Sequence, residues 1–302
     1  MNLSELARSA FQTRLERMQL NLEGCIEGQD PIHLHDLRVA NRRTRAALID
    51  FRDLLPDTVF SAYRDDFRWI HKVTGPVRDL DIGLSYFPVY EKKISKSWRE
   101  KLIPARQALE DKRQAAQMKL AEILSSKRIE NILDSWASQL ESGVLEGSQV
   151  SLEPAREYGC RLIIKRYNKV RKRGTKIGKK TPAEQFHNLR INVKKLRYLI
   201  DFFRPVFDKE EITHLLSGLK SFQDALGSYQ DAEIQILSLT QLALDLQESG
   251  SEVEPILALG QLIGIYEKEF RRARKRSLTS IHWLVSDPTA REFQSCFQYP
   301  VE

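Results

Sequence analysis

His187-Asn188-Leu189-Arg190-Ile191-Asn192-Val193-Lys194-Lys195-Leu196-Arg197 returns, 152 residues on, to a pattern already laid down as His35-Asp36-Leu37-Arg38-Val39-Ala40-Asn41-Arg42-Arg43-Thr44-Arg45. At 100° per residue, His187, Arg190, Lys194 and Arg197 fall within an arc of about 80°. Leu189, Val193, Leu196, Ile200 and Phe203 occupy a similar arc on the opposite side. The stretch therefore predicts a two-faced helix, with one face for a core and the other carrying only His, Arg and Lys. His35, Arg38, Arg42 and Arg45 form the same stripe in the first copy, over a core face that Asn41 and Thr44 interrupt. Thr181-Pro182-Ala183-Glu184 predicts a capping box with Pro at the first helical position, and Pro205 a stop. Asp30-Pro31 and Pro56 bound the first helix in the same way.

Working outward, the offset holds at a second landmark. Gly75-x-x-Arg78-Asp79-x-Asp81 returns as Gly227-x-x-Gln230-Asp231-x-Glu233, with no gap between the landmarks. Glu5 and Arg14 match Glu157 and Arg166 more weakly at the same spacing. A constant offset across separate motifs predicts an internal repeat, with halves at residues 1–148 and 149–302 and a linker at Gly143–Ser148. Helical period also runs through Leu3–Ile26, Thr58–Val73 and Trp98–Leu124, and through Leu152–Val170, Lys209–Leu226 and Glu254–Arg276. No alternating strand pattern stands out. The expected fold is all-α: four main helices per half, as two helical bundles about a pseudo-twofold axis.

Composition agrees with that class. Only 14 Gly and 11 Pro occur in 302 residues, which suits long helices. The net charge of +7 favours anionic partners, and it is uneven. Residues 151–302 hold 25 Lys+Arg against 19 Asp+Glu, whereas residues 1–150 hold 23 against 22. Cys25, Cys160 and Cys296 form no CxxC pair, which points to a reducing compartment. No signal peptide is read after Met1, and no apolar run reaches the 18 or so residues that span a bilayer. A cytoplasmic protein with no membrane association is expected.

The stripes carry the chemistry. A solvated helix face normally mixes signs, because like charges at i,i+4 destabilise. Here four cationic or potentially cationic groups stack at i, i+3, i+7 and i+10 without an acid among them, twice in one register. Each stripe extends over about 15 Å. Two such stripes framing a groove suit a linear polyanion better than a compact metabolite. Arg offers forked donors to phosphate, and Lys an adaptable point charge. Other basic residues are candidates to extend the site: Arg14; Lys165 and Lys169; Arg68 beside His71; and Lys220, which stands in register with Arg68.

Together these motifs resemble the CHAD family, the conserved histidine α-helical domain. The resemblance spans nearly the whole chain. It implies two four-helix units around a basic central cavity that binds inorganic polyphosphate, at granules of the polymer or with other polyanions. His35, Arg38, Arg42, Arg45, His187, Arg190, Lys194 and Arg197 match positions expected to line that cavity. Arg43 and Lys195 match motif positions too, but the helical wheel turns them sideways, to reach phosphate from the edge or to pair with acids. The second copy departs by having Gln230 for Arg78 and Lys194-Lys195 for two arginines. No catalytic residue and no cofactor are expected.

Two rivals remain at this level. His35 and His187 are candidate metal ligands or phosphate acceptors, and Asp79 and Asp81 candidate Mg²⁺ ligands, although the cationic neighbours of each histidine repel a metal ion. A nucleic-acid module fits the charge. The stripes lack the aromatic platforms of single-strand binders, and Trp69, Trp98, Trp136 and Trp283 do not recur in register.

Overall fold

Thirteen α-helices and three short 3₁₀ turns make up the described residues of the computed structural model, which are 1–298 with the side chain of Glu211 excepted. The first motif lies on α2 (Pro31–Asp50), which follows α1 (Leu3–Glu27). Asp30 caps α2 by accepting from Ile32 N–H at 2.9 Å, with Pro31 at the first position. Gly28 turns the chain between the two helices at φ 69°, a conformation that disfavours side chains. The second motif lies on α10 (Ala183–Phe203), after α9 (Ala155–Gly174). Its expected capping box does not form. The Thr181 hydroxyl accepts from Gly178 N–H at 2.9 Å and so serves the preceding turn, while Pro182 takes the cap position without a side-chain bond.

Neither motif helix runs to the proline expected to stop it. Each gives way to a 3₁₀ turn, at Arg52–Leu54 and Arg204–Val206. Pro56 then sits at the cap position of α3 (Asp57–Val73), and Asp208 caps α11 (Lys209–Glu248). Beyond these points the halves diverge. Gly75-Pro76 breaks the first half into α3 and α4 (Gly75–Ser85). The proline ring removes the N–H that would continue the helix. Ser228 occupies the matching position and keeps its N–H, so α11 continues for 40 residues, or about 60 Å, well past the expected Leu226.

The first half continues through short α5 (Phe87–Lys93) and α6 (Lys96–Arg99) to α7 (Ile103–Leu124) and α8 (Lys127–Glu141). The second half adds α12 (Val253–Val285), which folds back on α11 at Gly250 (φ 73°), and α13 (Asp287–Phe297). One buried cluster runs from Leu3 on α1 to Phe297 on α13 and draws on both halves. At its centre Phe51 packs on Phe202 and Phe203, with ring centroids 4.1 and 5.5 Å apart. A second cluster joins Phe87, Tyr90 and Leu102 to Leu239, Leu259 and Tyr266, seating α5 and the α6–α7 turn against the α11–α12 hairpin. Leu145 in the Gly143–Ser148 connection is fully buried and joins the core, while Glu146 and Gly147 beside it are exposed.

Candidate functional site

The core faces of α2 and α10 bury Leu37, Leu48, Leu189, Val193 and Leu196, which leaves the opposite stripes partly exposed. On α2, Arg38 donates from Nη1 to the His71 carbonyl and to Thr74 Oγ1, both at 2.8 Å. Its guanidinium lies against Gly75, where a β-carbon would stand 3.9 Å from Nη1. On α10, Arg190 lies against Gly227, with 3.7 Å to Nη2, and donates to Gln230 Oε1 at 2.6 Å. The glycines of the second repeated landmark thus sit beside the arginines of the first. Gln230 also donates its amide N–H to Nδ1 of His187. Arg197 donates to Gln223 Oε1 at 2.8 Å.

Charge and burial set the electrostatics. Burial, and then Arg78 and Arg42, hold the His35 imidazole below its ordinary pKa, against a smaller opposing pull from Asp36. His71 is pushed down to about 4 by burial and then by Arg38, Arg45 and Arg42, so it stays neutral. Arg45 lies within the field of Arg68, which brings that residue of α3 to the stripe. Lys194 is lowered to about 8 by burial, then by Arg190 and Arg42. Arg42 therefore acts on His35, Arg38 and His71 on its own side and on Arg190 and Lys194 across from it. Arg42 thus lies near cations of both helices. Each also keeps one carboxylate, Asp79 near Arg38 and Asp231 near Arg190, and burial raises the pKa of both.

Tyr198 lies between the stripe and a second cationic group. The Arg42 and Arg43 guanidinium carbons both stand 6.0 Å from its ring centroid. Arg43 continues into a cavity of about 70 Å³, lined also by Arg14, Asp50, Asp201 and Phe202. Asp50 pairs there with Arg166 at 2.6 Å and feels Lys195, while burial lifts its carboxyl to about 6. Arg14 is lowered to about 10 by burial and Arg43, and lies 5.1 Å over the Phe202 ring. Arg14, Arg43 and Lys195 thus gather around Asp50 and stand apart from the stripe. Lys165 and Lys169 on α9 and Lys220 on α11 are exposed and make no hydrogen bond or ion pair among the described residues. Asp81 is spent on Arg113, whose Nε it accepts at 3.0 Å.

Four contributors escaped the sequence reading: Thr74, Gln223, Tyr198 and the site role of Asp231. Asp231 was visible as a register mate of Asp79. Tyr198 has Ala46 as its register mate, so the repeat gave no sign of it. Among the described residues, no group of three or more His, Cys, Asp or Glu is placed to hold a metal ion. No helix there is long and apolar enough to cross a membrane.

The CHAD domain family model matches residues 9–240, which include both stripes and both glycine landmarks. The chain belongs to the CHAD family. Its fold is similar to that of the CHAD domain from the plant Ricinus communis, at TM-score 0.75 and 23% identity, covering 94% of this chain and 92% of that one. PptA from Streptomyces chartreusis is similar at TM-score 0.71 and 16% identity, covering 93% of this chain and 99% of that one. No curated protein matches the chain in sequence. Both structural likenesses speak to the fold alone, and each covers more of the chain than the family model does.

Proposed function

We propose that the protein binds inorganic polyphosphate, without turning it over, along a basic groove framed by the stripes of α2 and α10. CHAD membership supports a polyphosphate-related role in coarse terms. The finer reading rests on one observation: Arg42 shares its field with cations of both stripes. Gathering half-buried like charges is costly in the free protein, and a polyanion lying between the stripes relieves that cost. A linear ligand uses the full length, about 15 Å on each helix. The constant 152-residue offset, which the starts of α1 and α9, α2 and α10, and α3 and α11 also keep, supports two pseudo-twofold-related copies that each supply half the groove.

The side chains in this groove carry charge and hydrogen-bond donors, the equipment for holding phosphate. His35 and His71 stay largely uncharged near neutral pH and serve as neutral donors or spacers.

The test is charge reversal. Arg42→Glu with Lys194→Glu removes like-charge crowding, so helix content by circular dichroism holds. Binding of long-chain polyphosphate is expected to fall at least 100-fold. Parental affinity in that variant refutes the groove. Competition between polyphosphate and single-stranded RNA of equal charge separates the nucleic-acid reading, which requires RNA to win. Phosphate release from bound polymer would contradict binding without turnover.

A further inference from the structure

A cavity of about 420 Å³ opens between Tyr86 and the α11–α12 hairpin, lined among others by Tyr86, Asp231, Gln235, Tyr266, Arg272 and Arg276. That volume falls in the range of small-molecule sites. Its lining differs from the stripe in kind. Two tyrosines, Tyr86 and Tyr266, line it beside the carboxylate of Asp231 and the cations Arg272 and Arg276. Glu269 is paired with Lys93, and Lys93 in turn lies 4.9 Å over the Tyr266 ring. Tyr86 is stacked on Tyr90 on one side, at 5.9 Å and 21°. Gln235, only 3% exposed, accepts from the Tyr90 hydroxyl and so fixes that stack. No ring or cation covers the other face of Tyr86 among the described residues.

Asp231 joins the two regions. It lines the cavity, and its carboxyl lies within the fields of Arg190 and Lys194. Arg272 and Arg276, at i,i+4 on α12, are exposed and make no side-chain ion pair among the described residues. A ring-binding wall, a carboxylate and free guanidinium groups therefore line one cavity, and its carboxylate also lies near Arg190 and Lys194 of the stripe.

We propose that this cavity seats the nucleoside of a nucleoside polyphosphate whose phosphate chain lies on Arg190 and Lys194. The inference rests on the polyanion reading of the stripe and adds an occupant for its end. The base stacks on Tyr86, in the sequence-tolerant manner of aromatic platforms. Asp231 accepts from a ribose hydroxyl, the chemistry by which a carboxylate reads ribose elsewhere. Arg272 and Arg276 meet the phosphates nearest the sugar.

Calorimetric titration of the full chain with inorganic tetraphosphate, adenosine tetraphosphate and long-chain polyphosphate tests this. Inorganic tetraphosphate carries the extra terminal ionisation, so charge alone favours it. Adenosine tetraphosphate is expected to bind about tenfold tighter nonetheless, the worth of one stacked base. Tyr86→Ala should remove that advantage and Tyr86→Phe should keep it, with tetraphosphate affinity unchanged in both. Should Tyr86→Ala disturb the fold, Ser228→Trp, which fills the cavity from its exposed rim, should remove the same advantage. If tetraphosphate and long polymer bind while adenosine adds nothing, this proposal is overturned and the stripe reading stands. If long polymer does not bind, the stripe reading fails and takes this proposal with it.

Discussion

Lys194 is the residue whose chemistry most directly reports a bound polyanion. Burial, Arg190 and Arg42 hold it near 8 in the free protein, and phosphate beside it favours the charged form, so binding takes up a proton above that pH. Affinity is then independent of this group below about 8 and falls as pH rises beyond it, by about tenfold between pH 8 and 9.5. Lys194→Arg keeps its charge and should flatten that limb in a titration followed by calorimetry; an unchanged limb would show that Lys194 does not touch the ligand. His35, lowered by burial, Arg78 and Arg42, adds a separate gain as pH falls towards 6 and below, which His35→Gln should remove. Asn41 belongs to stability. It is fully buried on the core face of α2, and neither side-chain polar atom has a hydrogen-bond partner among the described residues. Its register mate is Val193, also fully buried. An unpaired buried amide costs about 1–3 kcal/mol, so Asn41→Val is expected to raise Tm by about 2–4 °C in a thermal melt. A fall would mean the amide is satisfied. The stripes were legible residue by residue because like charges in helical register are unusual and were written twice. Tyr198, Gln223 and Thr74 were not, because nothing in their spacing marks a neutral side chain that receives an arginine from another helix.

Helix starts were easier to read than helix ends. Asp30-Pro31 marks the start of α2 by a local rule that needs no tertiary information. The end of α11 depends on whether residue 228 keeps its N–H and on the partner that α12 provides, so the expected Leu226 fell 22 residues short of Glu248. Thr181 shows the opposite failure, a local signal captured by a competing turn at Gly178. Helix crossings leave a sharper mark. Gly159 in α9 faces Phe203, and a β-carbon there would stand 2.7 Å from the ring. That ring is fully buried, with Phe51, Tyr158 and Phe202 around it, so it cannot yield cheaply. Gly159→Ala would ordinarily favour a helix by about 0.5–1 kcal/mol. Overpacking at this crossing is expected to outweigh that and destabilise by about 1–3 kcal/mol, read as a lower urea midpoint. A stabilised variant would show that α9 and α10 are less tightly pressed than described.

At the scale of the whole molecule, the halves are held together by a shared core and not by the Gly143–Ser148 connection alone. Phe51 against Phe202 and Phe203 places α2 beside α10, and this brings Arg42 of one stripe near Arg190 and Lys194 of the other. Hydrophobic burial, which is blind to sign, thus sets the distance at which the cations repel. The 152-residue offset marks which residues of the two stripes correspond, whereas the packing of α5 and α7 against the α11–α12 hairpin has no counterpart at that offset. The central claim is that both stripes serve one linear polyanion, and the salt dependence of long-chain polyphosphate binding tests it most directly. Six contacting cations, Arg38, Arg42, Arg45, Arg190, Lys194 and Arg197, predict a log–log slope of roughly −4 near neutral pH, by analogy with single-stranded nucleic acid. A slope near −2, roughly the value for a single stripe, or one near zero would contradict it.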